Sequence, residues 1–122
     1  LGRYQGADGW WHNAQLNPDQ ALWGGELAAA KLTDYLTPEI ITVYTDKDNP
    51  AEIIIPNRLK KDPRGTVELV TRFWQPETIT PHKGMVHPVL VYADLMATGN
   101  QRNIETARII YDQYIVQLVR EN

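Results

Sequence analysis

The sequence predicts an α+β domain built from one helix, three mostly antiparallel strands and two packed C-terminal helices. Three observations support this fold class. An alanine-rich segment occupies residues 22–36, runs suited to strands follow between residues 40 and 74, and two helical patterns close the chain. Strands grouped between helices, rather than alternating with them one by one, are typical of the α+β class.

The first predicted helix spans residues 22–36. Its three consecutive alanines have high helix propensity, and apolar residues recur along it at helical spacing. We expect Gly24 and Gly25 to let backbone approach closely at the start of this helix, and Pro38 to end it. The segment before the helix is rich in Gly and Asn and is predicted to be a loop, which the pair Trp10 and Trp11 anchors to the core.

Three strand-like runs follow this helix. Residues 40–45 are rich in β-branched side chains, residues 52–56 form a short apolar run, and residues 66–74 alternate between two faces. Turn-forming residues separate these runs at 46–50 and 62–65. The spacing predicts a small sheet whose strands are mostly antiparallel.

Two helices joined by Thr98, Gly99 and Asn100 close the chain, after an irregular linker at residues 75–87. Pro88 suits the first turn of a helix, where its missing N–H group costs nothing. Gly99 is well placed to end that helix in a left-handed conformation. The last helix shows apolar residues at helical spacing, namely Ile104, Ala107, Tyr111, Tyr114, Ile115 and Leu118.

Composition excludes several classes of function. Twelve Lys and Arg against fifteen Asp and Glu give a net charge of -3, and the basic segment 58–64 fits a solvated turn better than a phosphate site. The chain has no cysteine and no serine, so disulfides, thiolate ligands and both nucleophiles are excluded. His12, His82 and His87 lack zinc spacing, and we predict no metal and no cofactor. No apolar run reaches the roughly twenty residues of a membrane span, and we expect a cytoplasmic protein.

A restriction-endonuclease-like core that has lost its chemistry is an alternative, since it has a similar order of elements. An active site of that kind needs an acid on one strand and a Glu-x-Lys pair on the next, which together hold a metal ion and polarise water. Glu52 and Glu68 are the acids available on the predicted strands, and neither is followed by the required lysine. An active nuclease is therefore not expected.

Charged and amide side chains gather around the joint between the last two helices: Asp94, Arg102, Asn103 and Glu105. They could tie the corner through an Asp–Arg pair or an Asn side chain, or they could form a surface that a partner binds. We favour the structural interpretation over the partner surface, and both over catalysis. Glu26, one turn into the first helix, is favoured there by the helix dipole.

Three blocks of the sequence carry a family resemblance. They are WGGELAAAKLTDYLTPEIITVYT at residues 23–45, GTVELVTRFW at 65–74 and HPVLVYADLMATGNQRNIETARIIY at 87–111. In order and spacing they resemble the C-terminal domain of AbiEi-type proteins, the antitoxins and transcriptional regulators of bacterial type IV toxin–antitoxin systems. The most specific block is the last one.

The resemblance implies a non-enzymatic domain whose partner is a nucleotidyltransferase-like toxin. Such toxins are usually countered without a stable complex, so direct contact stays open. It also implies that DNA is bound only through an N-terminal winged helix-turn-helix. We read residues 1–122 as a single domain that lacks this module and forms the C-terminal part of a longer protein, since the chain begins with Leu1 rather than Met. A pure oligomerisation module, using the tyrosine-lined last helix, is a further alternative.

Overall fold

A mixed sheet forms the centre of the protein in the computed structural model, which describes residues 2–14, 16–17, 20–46, 50–74 and 81–120. Five strands lie among these residues, and their order across the sheet is β2-β3-β5-β1-β4. The strands are β1 (Gly2–Gln5), β2 (Ala21–Gly24), β3 (Ile41–Thr45), β4 (Lys60–Lys61) and β5 (Val67–Thr71). Together with the helices, this sheet confirms the predicted α+β class.

The two central strands are parallel. β3 pairs with β5 from Ile41 opposite Val67 to Thr45 opposite Thr71. Within the described ranges the other three pairings, β2 with β3, β5 with β1, and β1 with β4, are antiparallel. The expectation of a mostly antiparallel sheet therefore holds, but the pairing at its centre is a parallel one.

Strand β3 is buried on both faces. Ile41 and Val43 point to one face and are 1% and 0% exposed, whereas Thr42 and Tyr44 point to the other and are 6% and 5% exposed. A strand that is covered on both sides reads as a nearly continuous apolar run, which is why residues 40–45 were recognisable as a strand.

The helices occupy the remaining described chain. After a 3-10 turn (Trp10–Asn13), they are α1 (Gly25–Thr33), α2 (Ala51–Ile54), α3 (Pro88–Ala97), α4 (Gln101–Ile110) and α5 (Val116–Arg120), with a π-helical turn (Tyr111–Ile115) between the last two. Helices α1, α3 and α4 pack against one another, and α1 also lies against β2 and β3. The two packed helices predicted near the C-terminus are present as α3 and α4.

The N-terminal third contains more strand than the sequence predicted. The predicted helix at residues 22–36 is α1 and is shorter, because residues up to Gly24 pair with β3 instead. The segment assigned to loop also contains β1. Trp10 and Trp11 do pack against the core, as expected.

The run at residues 52–56 is a helical turn rather than a strand. Helix α2 begins after Pro50 and buries Ile53, while Ile55 is 73% exposed. A short apolar run carries no periodicity that separates a strand from a buried helical turn, so composition alone misassigned it.

Both ends of α3 follow the predicted chemistry, and a side chain caps the start of α4. Pro88 is the first residue of α3, and the His87 side chain accepts a hydrogen bond from the Val89 N–H at 3.0 Å. Gly99 has φ of 69°, the left-handed conformation expected of a residue that ends a helix. Asn100 caps α4 with its side chain.

A π-helical turn interrupts the last predicted helix. Buried residues follow helical spacing through Ala107 and Ile110, and the next is Ile115, five positions on. The wider turn thus keeps the apolar side chains of the C-terminal segment on the core. None of the helices in the described ranges combines the length and apolarity needed to span a membrane.

Candidate functional site

A single buried carboxylate joins three segments of the chain. Glu26, in the first turn of α1, is 8% exposed. Its Oε1 atom accepts hydrogen bonds from the backbone N–H groups of Glu39 at 2.9 Å and Ile40 at 3.4 Å, which lie just before β3. It also accepts from the Arg102 guanidinium at 3.3 Å, and its Oε2 accepts from the Asn103 amide at 3.3 Å. Glu26 therefore ties α1 to the start of β3 and to the first turn of α4.

Two glycines allow α1 to begin at this point. A side chain at Gly24 would lie 2.6 Å from the Tyr44 ring, and one at Gly25 would lie 2.8 Å from the Thr42 hydroxyl. Gly25 also has φ of 52°, where L side chains are strained. The expected close approach of backbone at this glycine pair is confirmed, and it places Glu26 against the centre of the sheet.

Arg102 is held by contacts on three sides. Its guanidinium donates to the Thr37 carbonyl oxygen at 2.6 Å and to Glu26 at 3.3 Å, and it lies 3.6 Å from the Glu39 carboxylate. Its side chain is 32% exposed. Of the two ties that we considered for the corner, the Asp–Arg pair is not formed, because Arg102 pairs with Glu26 while Asp94 accepts from Tyr44.

Asn103 lies inside the joint and is 1% exposed. Its Nδ2 group donates to Glu26 Oε2 at 3.3 Å and to Thr98 Oγ1 at 3.2 Å. The carboxylate fixes this orientation of the amide, because the opposite one would point a carbonyl oxygen at a carboxylate. The Oδ1 atom is left buried, with no hydrogen-bond partner among the described residues.

Short-range hydrogen bonds complete the turn between the helices. The Thr98 hydroxyl donates to the Leu95 carbonyl at 2.7 Å and accepts from the Asn100 N–H at 3.2 Å. The Asn100 side chain accepts from the N–H groups of Arg102 at 2.9 Å and Asn103 at 3.2 Å. These bonds satisfy N–H groups that have no partner within the helix, which is the usual work of a cap residue.

A row of polar side chains crosses the sheet beside this joint. Arg3 lies opposite Glu68 in the pairing of β1 with β5, and Thr42 lies opposite Glu68 in the pairing of β3 with β5. The Glu68 carboxylate accepts from the Thr42 hydroxyl at 3.3 Å and from the Arg3 guanidinium at 3.4 Å. Sheet register alone therefore brings residues from three strands together.

This row forms the floor of a cavity of about 220 Å³, with α1 and α3 as its walls. The acids at its wall are Glu26, Glu68 and Asp94, and Arg3 is the one basic residue among the described lining. The cavity is thus acidic, although each carboxylate accepts at least one hydrogen bond from a neighbouring group.

Asp94 faces this cavity from α3 and is bonded to the sheet. The Tyr44 hydroxyl donates to its Oδ2 atom at 2.6 Å. Burial raises the pKa of the Asp94 carboxyl above its ordinary value, the bond from Tyr44 opposes this, and the negative Glu68 raises it further. Burial, followed by the bond to Asp94, likewise raises the pKa of the Tyr44 phenol. Asp94 therefore fastens α3 to β3.

Glu105 stands apart from the other candidates. It is exposed on α4, where its carboxylate accepts from the Tyr35 hydroxyl and the Gln101 amide, both at 3.4 Å. The structure thus brings Arg102, Asn103 and Glu26 into one network, sets Asp94 across the adjacent cavity, and leaves Glu105 at the surface. Within the described ranges, no group of three or more His, Asp or Glu is arranged to hold a metal ion.

Sequence reasoning missed the sheet residues of this site. Arg3 belonged to a segment assigned to loop, and Tyr44 and Thr42 carried no signal beyond strand propensity. Glu68 was placed correctly on a strand whose side chains alternate between two faces, but its partners depend on the parallel pairing of β3 with β5. That pairing connects residues 26 positions apart, which no local pattern encodes.

Comparison with known protein families gives a match over nearly the whole chain. Residues 1–116 match the sequence profile of a family described as transcriptional regulator, AbiEi antitoxin, type IV toxin–antitoxin system. No similar protein of curated function and no similar solved structure was found. The match covers the joint, the acidic cavity and the whole sheet, and it includes the three blocks that carry the resemblance. This chain therefore belongs to the AbiEi antitoxin family of transcriptional regulators from type IV toxin–antitoxin systems.

Proposed function

We propose that this chain is a non-enzymatic domain that counters a nucleotidyltransferase-like toxin. The observation that carries the proposal is the family match over residues 1–116. The toxin class is what the resemblance of residues 23–45, 65–74 and 87–111 implies. The proposed role is cytoplasmic, since transcription and its regulation take place there. DNA binding would belong to an N-terminal winged helix-turn-helix in the parent protein.

Within this proposal, the residues of the joint have separate tasks. Glu26, Arg102 and Asn103 hold α1, α4 and the start of β3 in a fixed arrangement, because their polar atoms face one another. Glu105 is the residue of this region suited to contact a partner, since it is exposed and its two hydrogen bonds are long. Asp94 lines the acidic cavity and fastens α3 to β3, so it is not a candidate for contact with a partner.

The absence of catalysis is part of the proposal. The acids of the cavity are engaged by arginine, tyrosine, threonine and amide donors, which favours a structural role over the coordination of a metal ion. We expect purified protein not to nick plasmid DNA with magnesium or manganese. Steady nicking that Glu68→Gln abolishes would identify the nuclease alternative as correct.

A growth-rescue assay tests the proposal directly. Cells that express the toxin should recover when this chain is expressed with it, and growth is compared with the melting temperature of each variant. We expect Glu105→Ala to fold normally and to lose rescue, and Arg102→Ala to lose stability. Arg108→Ala, which removes an exposed cation from the same helix, is the matched control and should retain both.

Two results would contradict parts of this proposal. If the wild-type chain gives no rescue at normal expression and stability, it does not counter that toxin by itself. If Glu105→Ala rescues fully, Glu105 is not a partner contact and another surface must be responsible.

A further inference from the structure

A second cavity, of about 240 Å³, lies between the 3-10 turn, β2 and the last turn of α1. Its walls include Trp11 and His12 from the turn, Trp23 from β2 and Lys31 from α1, and small residues such as Ala14 and Ala21 leave the space open. None of these residues contributes to the joint or to the acidic cavity. The two cavities share no lining residue among those described.

The aromatic walls are held in place by the core. Trp23 is 9% exposed, and the ring of Trp10 packs against it at 5.9 Å between centroids. Trp11 meets Trp10 edge to face at 6.4 Å and is flanked on another side by the His12 ring at 5.4 Å. Rigid aromatic faces of this kind bind a flat ring with little loss of side-chain entropy.

The charge at this cavity is opposite to that of the whole chain. The Lys31 ammonium lies 5.5 Å from the centre of the Trp23 ring. No ion pair of Lys31 is found among the described residues, and none of the described lining residues is acidic. In a protein whose net charge is -3, this is a local positive site next to aromatic surface.

We propose that this cavity binds a nucleoside monophosphate, with the base against the partly buried Trp11 and the phosphate facing Lys31 and His12. The phosphate oxygens accept hydrogen bonds, and the ammonium and imidazole N–H groups at the wall are donors for them. The volume is below the roughly 300–1,000 Å³ of sites that enclose a drug-sized ligand, so part of the nucleotide would stay outside the cavity. This site is independent of the proposed antitoxin function.

Nuclear magnetic resonance of the tryptophan indole N–H groups tests the site. The chain has four tryptophans, and Trp74 packs on Tyr44 at 5.3 Å, away from this cavity. Adding AMP should shift the signals of Trp11 and Trp23 in a saturable way and leave that of Trp74 in place. Adenosine and inorganic phosphate, added separately, should each bind much more weakly than AMP.

Substitution of Lys31 tests whether its ammonium group binds the phosphate. Lys31→Met keeps the length of the side chain and removes its charge, so we expect AMP to bind about tenfold more weakly. Lys61→Met is the matched control, because Lys61 is exposed on β4 and is not part of the cavity wall. It should bind AMP as the wild type does, and both variants should keep the wild-type melting temperature.

A 5′-phosphorylated tetranucleotide shows whether the bound nucleoside monophosphate is a free nucleotide or the end of a nucleic acid. Tighter binding of the tetranucleotide than of AMP assigns the site to the end of a nucleic acid, and equal binding assigns it to a free nucleotide. Three results would overturn the proposal: no saturable shift at millimolar AMP, equal binding of adenosine and AMP, or tighter binding of N-acetyltryptophan, which would identify a peptide carboxylate as the ligand.

Discussion

Glu26 shows how one residue can determine the geometry of a helix joint. Its carboxylate accepts four hydrogen bonds from α4 and from the segment before β3. In Glu26→Gln, one acceptor oxygen becomes a donor that faces the Asn103 amide. Rotating that amide does not remove the conflict, because Thr98 already donates its proton to Leu95 and can only accept from Asn103.

We therefore expect Glu26→Gln to lower the free energy of unfolding by about 1–3 kcal/mol, the cost of leaving buried polar groups unsatisfied. Chemical denaturation measures this loss. Glu105→Gln is the matched control, since its exposed carboxylate should contribute within about 0.5 kcal/mol. Equal stability of the two variants would show that the network around Glu26 does not stabilise the fold.

Asp94 makes the stability depend on pH. Its pKa is raised in the folded protein, so between the ordinary value of 3.8 and the raised one the folded state binds more protons than the unfolded state. Stability from this residue is therefore present at acidic pH and is lost as pH rises through that window. Burial of the carboxyl is the main cause of the raised pKa and the negative Glu68 adds to it, whereas the hydrogen bond from Tyr44 opposes it.

We expect Asp94→Asn to gain stability relative to the wild type as pH rises from the ordinary aspartate value towards neutrality. The amide oxygen can still accept the Tyr44 proton, but the side chain carries no charge to desolvate. Melting temperatures of both proteins across that range give the comparison. If the melting temperature of the wild type instead rises relative to that of the variant as pH rises, the Asp94 pKa is lowered in the folded protein.

The sequence indicated which residues belong to the joint, but it did not indicate which hydrogen-bond partners they have. Asp94, Arg102 and Asn103 were recognisable because charged and amide groups surround a turn, and Glu26 because it begins a helix. Their actual partners lie as much as 77 positions away, as Asn103 does from Glu26. Such distances are set by the packing of α1 against α4, which follows from the whole fold.

At the scale of elements, Gly99 makes the turn between α3 and α4 possible. Its φ is 69°, and beyond its two chain neighbours no atom of the described residues lies within 4 Å of where a side chain would begin. The space is open, so the penalty for a substitution there is conformational. We expect Gly99→Val to lower the free energy of unfolding by roughly 1–2 kcal/mol, because a β-branched residue is strained in this conformation.

Gly99→Asn separates this backbone strain from other effects, because asparagine tolerates the left-handed region better than valine does. Thermal or chemical denaturation of both variants should show the smaller loss for asparagine. A valine variant as stable as the wild type would mean that the turn readily adopts another conformation.

Elements with strong local signals were predicted well, and short ones were not. Residues 88–98 have a proline at the start and a glycine after the end, and α3 follows them closely. The four-residue strands β1 and β2 carry no such marks, and β2 runs directly into α1 without a turn. Their assignment depends on pairing with β5 and β3, which tertiary contacts decide.

At the scale of the whole molecule, the parallel pairing of β3 with β5 could not be predicted from periodicity. Although β3 and β5 are neighbours in the sheet, α2 and β4 lie between them along the chain, and β4 is at the far edge of the sheet. The acidic cavity depends on that topology, because the pairing sets Thr42 beside Glu68. Class and helix order therefore followed from sequence patterns, whereas the cavity did not.

The electrostatics of the whole chain predict weak binding to duplex DNA. Non-specific affinity comes mainly from neutralising phosphates with Lys and Arg, and this chain has a net charge of -3. Its densest group of exposed cations is Arg58, Lys60, Lys61 and Arg64, around the edge strand β4. Four phosphate contacts on an otherwise acidic surface give at most the roughly 10⁻⁴–10⁻⁶ M range of non-specific binding at physiological salt.

We therefore expect no submicromolar binding of duplex DNA by this chain in a gel-shift assay, whatever the DNA sequence. Any weak binding should decrease steeply with salt, and Lys60→Glu with Lys61→Glu should remove it because both changes reverse charge at the edge strand. Replacing Arg102, whose guanidinium is engaged by Glu26 and Thr37, should leave that binding unchanged. Submicromolar, salt-sensitive binding by the purified chain would instead show that DNA recognition does not require a separate winged helix-turn-helix.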